Sequence, residues 1–152
     1  MSGKTIRETL GFLAVLAGLV FVGMEIRQNN VHARAATRQA LAEVSIELIL
    51  ARTADAELDR QTYAWIEARE DDVLDCYQTR MCAMVFALLR HHENVFIQVQ
   101  EGVVDESALL SYGYSRSPLY LSPFFAQRWP SLRSLFDPRF VAVFEAEYDL
   151  AP

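Results

Sequence analysis

Three groupings of residues in this chain have the types that do chemistry. His91-His92-Glu93 carries the nitrogen and oxygen donors of a metal site. Its spacing argues against that use, because neighbours on a helix point about 100° apart and a two-histidine helical site needs a separation of three or four. His92 falls on an apolar stripe and reads as a core histidine held by a hydrogen bond, while His32 is remote in sequence. The second grouping, Arg90, Asn94, Gln98 and Glu101, forms a polar line along the same segment. It either faces Gln28, Arg34 or Arg38 in a buried network that fixes register, or lies along a solvated edge. If the line borders a cavity, Arg90, His92, Asn94 and Trp129 are the candidate ligand-binding residues. The third grouping is Cys76 and Cys82, the only cysteines. Six residues apart on one helix they stand about 9 Å apart along its axis, which is too far to bridge. Acidic Asp75 and apolar Met81 beside them raise a thiol pKa and disfavour a nucleophile. Phosphate-cradling glycine loops, Gly-x-Ser-x-Gly, paired CxxC and HExxH are absent. No catalytic residue, metal or cofactor is therefore assigned from the sequence, and an enzyme would need ionisable residues from separate helices to meet in one concave site.

The elements that must position these residues are all helical. Leu74, Tyr77, Met81, Val85, Leu88, His92, Val95 and Val99 are separated by 3, 4, 4, 3, 4, 3 and 4. That periodicity predicts a helix of about thirty residues, capped by Asp71 or Asp72 and closed by Gly102. Met81 to Leu89 is apolar all round, which puts this helix at the centre of a bundle. Before it, Thr53 to Asp55 offers capping side chains, so one helix should end near Arg52. A shorter one should start near Asp55 and end around Asp71, with Tyr63, Trp65 and Ile66 as its core contacts. After it, Asp105 opens a helix carrying Leu109, Leu110 and Tyr112. Ser117-Pro118, Ser122-Pro123 and Asp137-Pro138 each place a capping side chain before a proline able to start a helix. Phe124, Phe125, Trp129, Leu132 and Phe136 form an aromatic lid segment interrupted by Pro130, and Phe140, Phe144 and Tyr148 mark the last amphipathic helix.

The N-terminal part is of another kind. From Thr9 to Met24 there are sixteen consecutive uncharged residues, covering roughly 24 Å of a hydrocarbon core about 30 Å thick. Lys4, Arg7 and Arg27 can extend the span by running their stems along lipid. A cleaved signal peptide would share the basic start, but Ala33-Arg34-Ala35 lies beyond Glu25, Arg27 and Arg34, too far downstream for its cleavage. A buried core helix could be equally apolar, yet a chain of 152 residues rarely surrounds one. The expectation is an anchor over 1–27 and a helical bundle over 28–152, with no proline or glycine to stop the first helix as it leaves the bilayer. Gly11, Ala14 and Gly18 line one face and would admit a second helix closely, although glycine is common in membrane helices for other reasons.

Past residue 27 the chain has 11 arginines and no lysine against 18 carboxylates, a balance of 11 − 18 = −7. Such a surface repels phosphate, so a nucleic-acid partner is not expected. The acidic cluster Glu67, Glu70, Asp71, Asp72 and Asp75 reads as a solvated helix end and turn. Two unpaired thiols suit a reducing compartment and favour a cytoplasmic domain. Basic residues flanking the apolar run are nearly balanced and do not decide its orientation.

Val22 to Leu41 (VGMEIRQNNVHARAATRQAL), Glu93 to Glu106 (ENVFIQVQEGVVDE) and the LFDPRF phrase within Trp129 to Phe140 together resemble landmarks of a widespread group of uncharacterised bacterial proteins with one N-terminal membrane helix. The resemblance implies an anchored all-α domain and brings no activity, cofactor or catalytic residue. Pro130, directly after the tryptophan, departs from the helix expected there. The leading expectation is a single-pass protein of the bacterial inner membrane whose bundle is an interaction or scaffold module, with the lipid bilayer and a protein partner or second copy as its contacts. The alternative is a sensor binding a small molecule or cofactor in a cavity of the bundle.

Overall fold

The computed structural model describes residues 3–69, 80–111 and 117–150. Among them every regular element is helical, giving an all-α fold: α1 Gly3–Ala54, α2 Ala56–Ile66, α3 Met81–Gln100, α4 Ser107–Ser111, α5 Pro123–Leu132 and α6 Pro138–Tyr148, with a 3₁₀ turn at Arg133–Leu135. The chain divides into two compact units, Met1–Thr37 and Arg38–Pro152. The boundary falls within α1.

The first unit is the apolar helix. Its large side chains lie outside any core, with Phe12 and Leu19 each 64% exposed and Met24 67% exposed. By length and composition this helix can cross a membrane, and none of its most apolar eighteen-residue stretch is buried.

In the second unit, caps set most helix boundaries. Asp55 accepts the backbone N–H groups of Glu57 and Leu58 and starts α2. That helix ends at Ile66, earlier than the expected turn around Asp71, because Ala68 takes a left-handed conformation (φ +51°) and folds the chain back. Ser122 and Asp137 cap α5 and α6, accepting from Phe124 N and Arg139 N, and each is followed by proline in the first turn. Ser117-Pro118 starts no helix: 118–121 are turns, with Tyr120 N donating to Ser117 O. The second Ser-Pro pair follows too soon, since a residue before proline is pushed to extended backbone and Ser122 has ψ 139°. Pro130 leaves α5 intact only briefly, as the helix gives way to the 3₁₀ turn after Leu132.

Helix α3 begins at Met81, later than the periodicity suggests, with no side chain capping it. Asp71, Asp72, Leu74 and Tyr77 lie outside the described residues. At its other end Gly102 (φ +67°) donates to Val99 O and Val103 N donates to Gln98 O, a paired closure that needs a left-handed residue at 102. The later start also corrects the cysteine reading. Cys82 lies in the first turn of α3 and is disulfide-bonded, and no described cysteine is free. The sequence holds one other cysteine, Cys76, outside the described residues.

The core gathers on α3 and the C-terminal helices. Met81, Leu89 and Val95 are fully buried, and α3 touches α2, α4 and α6. Of the aromatic segment expected as a lid, Phe125, Trp129 and Phe136 are core, at 0%, 1% and 6% exposure, and Phe124 and Leu132 are partly buried against it; Phe140 and Phe144 of α6 complete the group. Tyr120 sits at the hub of this group, 4.9, 5.2 and 5.3 Å from the rings of Phe125, Phe144 and Tyr148 in edge-on packing, the preferred geometry for aromatic pairs. Tyr63, by contrast, is 48% exposed. A smaller cluster joins Leu41 of α1 to Val95, Val104 and Ala108.

Phe144→Ala should lower unfolding stability by about 3–5 kcal/mol, because it empties the aromatic core. Gly102→Ala should cost only about 1–2 kcal/mol, a backbone effect alone since no atom lies within 4 Å of the added methyl. Urea unfolding of both variants checks the ranking.

Candidate functional site

Within the second unit, α1, α2, α3 and the 117–120 turn line a partly open cavity of about 390 Å³. Its walls are mainly apolar: Leu48 and Ile49 from α1, Ile66 from α2, Met84 and Leu88 from α3, and Leu119. Into this surface project Ser45 and Arg52 of α1, Thr62 of α2, the His91–His92 pair of α3, and Tyr120. Ser45, Leu48, Ile49 and Arg52 share a face because their spacings are three, four and seven. An apolar cavity of this size with a few convergent polar groups has the general character of a small-molecule site.

Each polar group has a distinct environment. His92 Nδ1 and the Tyr120 hydroxyl are 3.1 Å apart, both residues buried, with their rings edge-on at 5.5 Å. Tyr120 thereby ties the cavity wall to the aromatic core. Ser117 N donates to the Tyr148 hydroxyl at 3.1 Å and fixes the turn beside it. The Thr62 hydroxyl donates to Leu58 O at 2.8 Å, so it is spent within its own helix. His91 is 5% exposed, and burial pushes its imidazole below the ordinary histidine range, favouring the neutral ring. Arg52 is paired at longer range. Its Nε stands 3.6 Å from Asp59 Oδ1, close enough for ionic attraction but too far for a hydrogen bond, and neither buried atom has a hydrogen-bond partner.

Of the four residues singled out from the sequence, His92 lines this cavity and the other three lie elsewhere. The Arg90 guanidinium is 2.6 Å from Glu93 Oε2, donates to Leu135 O at 2.8 Å and lies 4.6 Å from the Phe136 ring centre. Glu93 Oε1 in turn accepts Asp137 N at 2.6 Å, so this pair fastens α3 to the turn before α6. Asn94 is exposed. Trp129 is 1% exposed and its Nε1 donates to Glu145 Oε1 at 2.9 Å, while Arg133 reaches the same carboxylate at 3.1 Å. Arg38 pairs with Asp105 rather than with the α3 line. In the first unit Gly11, Ala14 and Gly18 are exposed, with nothing within 4 Å of a methyl added at either glycine. Among the described residues no three His, Cys, Asp or Glu side chains could hold a metal ion.

No protein-family model, curated protein or solved structure matches this chain. The cavity must therefore be read from its own chemistry.

Sequence reasoning missed Ser45, Arg52, Thr62 and Tyr120, and weighed His91 only as a metal ligand. Leu41, Val44 and Leu48 stand at helical spacing on α1, but nothing in that pattern singles out Ser45 or Arg52 beside them. Tyr120 carried no signal, since its meeting with His92 joins residues 28 apart in sequence.

The buried His91 predicts a pH dependence. Its folded pKa lies below the ordinary 6.5, so the unfolded chain takes up its proton first on acidification. Stability should be full above about pH 6.5 and fall as the pH drops through that value toward the lower folded pKa. In His91→Gln the loss of Tm between pH 7.5 and 5.5 should be smaller than in the parent chain, as read by thermal unfolding.

Proposed function

We propose that this chain is a single-pass protein of the bacterial inner membrane whose helical unit works as an interaction or scaffold module. The observation that carries the reading is the unburied apolar stretch of α1. Leu10, Phe12, Leu13, Val15, Leu16, Leu19, Val20, Phe21 and Val22 supply nine strongly apolar side chains. At about −0.3 to −0.6 kcal/mol each at a membrane centre they favour insertion by about 3–5 kcal/mol. Left in water, the same surface would drive aggregation.

The partner we assign is a protein or a second copy of the chain. Open glycines at 11 and 18, and Ile46 and Leu50 at 55% and 59% exposure beyond the apolar stretch, support it. The balance of −7 past residue 27 argues against nucleic acid. The resemblance to bacterial proteins with one N-terminal membrane helix belongs to this reading and gives it no reaction.

Compartment turns on Cys82. The expectation of a cytoplasmic domain rested on unpaired thiols, and the disulfide at Cys82 withdraws that support. Disulfides form and persist in oxidising compartments, so we assign the helical unit to the non-cytoplasmic side.

A second reading, binding of a small molecule in the bundle, is favoured by one observation: the cavity of about 390 Å³ with His92 and Arg52 in its walls.

The full chain should pellet with membranes and resist alkaline carbonate extraction, whereas a chain lacking residues 1–27 should be released. A full-length chain that is soluble without detergent would overturn the anchor. In intact cells a bulky maleimide should label the cysteines only after reduction; labelling of the unreduced chain by a membrane-permeant maleimide alone would return the unit to the cytoplasm.

A further inference from the structure

The chemistry of the cavity narrows what it can take. Residues beyond 27 carry an excess of seven negative charges, yet none of the residues lining the cavity is acidic. Its one permanent charge is the Arg52 guanidinium. Its Nε is buried, makes no hydrogen bond, and holds Asp59 only at 3.6 Å. A guanidinium offers its N–H groups in a planar fork that matches a carboxylate in two parallel hydrogen bonds. The remaining wall is apolar, from Leu48, Ile66, Met84, Leu88 and Leu119.

We propose that this cavity binds a compact monocarboxylate with an apolar body, the carboxylate on Arg52 and the aryl or alkyl portion against Leu48, Met84 and Leu88. This rests on the ligand-binding reading given above. A phosphate ester is the poorer fit, because one arginine balances one negative charge and the second would be desolvated without a partner. A neutral body of the same shape would gain the apolar contacts and forgo the charge-assisted hydrogen bonds, which are about twice as strong as neutral ones. Asp59 competes with the ligand for Arg52, so the carboxylate must displace it or share the fork. Burial holds His91 toward its neutral form, which leaves Arg52 as the charge that reads the anion.

The test uses the full chain in lipid nanodiscs with ¹³C-labelled methionine methyl groups. Met84 lines the cavity and Met24 lies in the apolar stretch of α1, so the two report binding and partition into lipid separately. The probes are 4-phenylbutyrate and its neutral counterpart 4-phenylbutanol. A saturable shift of Met84 by the acid, with the alcohol at least tenfold weaker, is expected. Arg52→Gln should bring the acid down to the affinity of the alcohol while leaving the affinity of the alcohol where it was. Asp59→Asn should tighten the acid severalfold and leave the alcohol where it was. Equal binding of acid and alcohol, or an acid affinity indifferent to both substitutions, would overturn the carboxylate assignment and leave the cavity a ligand site. Failure of either probe to move Met84, whether or not Met24 responds, would overturn the ligand-binding reading itself.

Discussion

One constraint governs the chain: a backbone N–H or C=O group shut away from water must still be satisfied, and a helix does so entirely within itself. Helix α1 is 52 residues long and has no proline. Its backbone therefore makes the same bonds from Gly3 to Ala54, whatever surrounds it. Only the side chains change along its length. From Leu10 to Met24 they are apolar on every face and exposed, a pattern that water does not favour. In the second unit Leu41 is buried against Val95, Val104 and Ala108, and Leu48 packs on the main core. The unit boundary at 37/38 falls within α1.

The helical unit solves a different problem, which is how to bury a large aromatic core together with several polar groups. Hydrophobic burial supplies the main driving force, but each buried donor or acceptor left alone would cost about 1–3 kcal/mol. Tyr120 is 1% exposed, and its hydroxyl can remain there because His92 Nδ1 is 3.1 Å away. Glu93 and Glu145 use the same device at the C-terminal helices. Glu93 receives Arg90 and the backbone of Asp137, while Glu145 receives Trp129 and Arg133. Each carboxylate collects donors from two elements, so it fixes their register as well as satisfying them. Arg52 and Asp59 break this pattern, since they are paired only at a distance and beside a cavity. An ion pair left short of hydrogen bonding at the edge of a cavity is what marks that corner as the binding candidate.

Local chemistry was legible in the sequence and tertiary meetings were not. The caps at Asp55, Ser122 and Asp137 and the glycine closure at Gly102 could be read because they act within three or four residues. The long first helix was legible because nothing in it stops a helix. Two boundaries failed for physical reasons of equally short range: Ala68 adopts a left-handed turn with no glycine to announce it, and Ser122 needs extended backbone that denies a helix to Ser117-Pro118. The candidate site was harder. Arg90 and Trp129 have the right types for recognition, but packing commits them to Glu93 and Glu145 instead. Which polar residue is spent on structure and which is left over depends on contacts between helices, and hydrophobic periodicity records only that a face is buried.

Orientation shows how a single covalent fact can outweigh a diffuse electrostatic one. Sorting by basic residues depends on a difference between the two flanks, and here Lys4, Arg7 and the amino terminus stand against Arg27, Arg34 and Arg38. Three charges on each side give no preference. A disulfide is not a matter of balance, because reducing systems remove most such bonds from cytoplasmic proteins. In the reading proposed above, Cys82 carries the argument that the flanking charges cannot. Its position in the first turn of α3 also has a structural consequence: it pins the start of the helix that bears His91, His92 and Glu93, an end with no capping side chain of its own. The bond that argues for an oxidising side thus also restrains an end of α3 that its own sequence leaves uncapped.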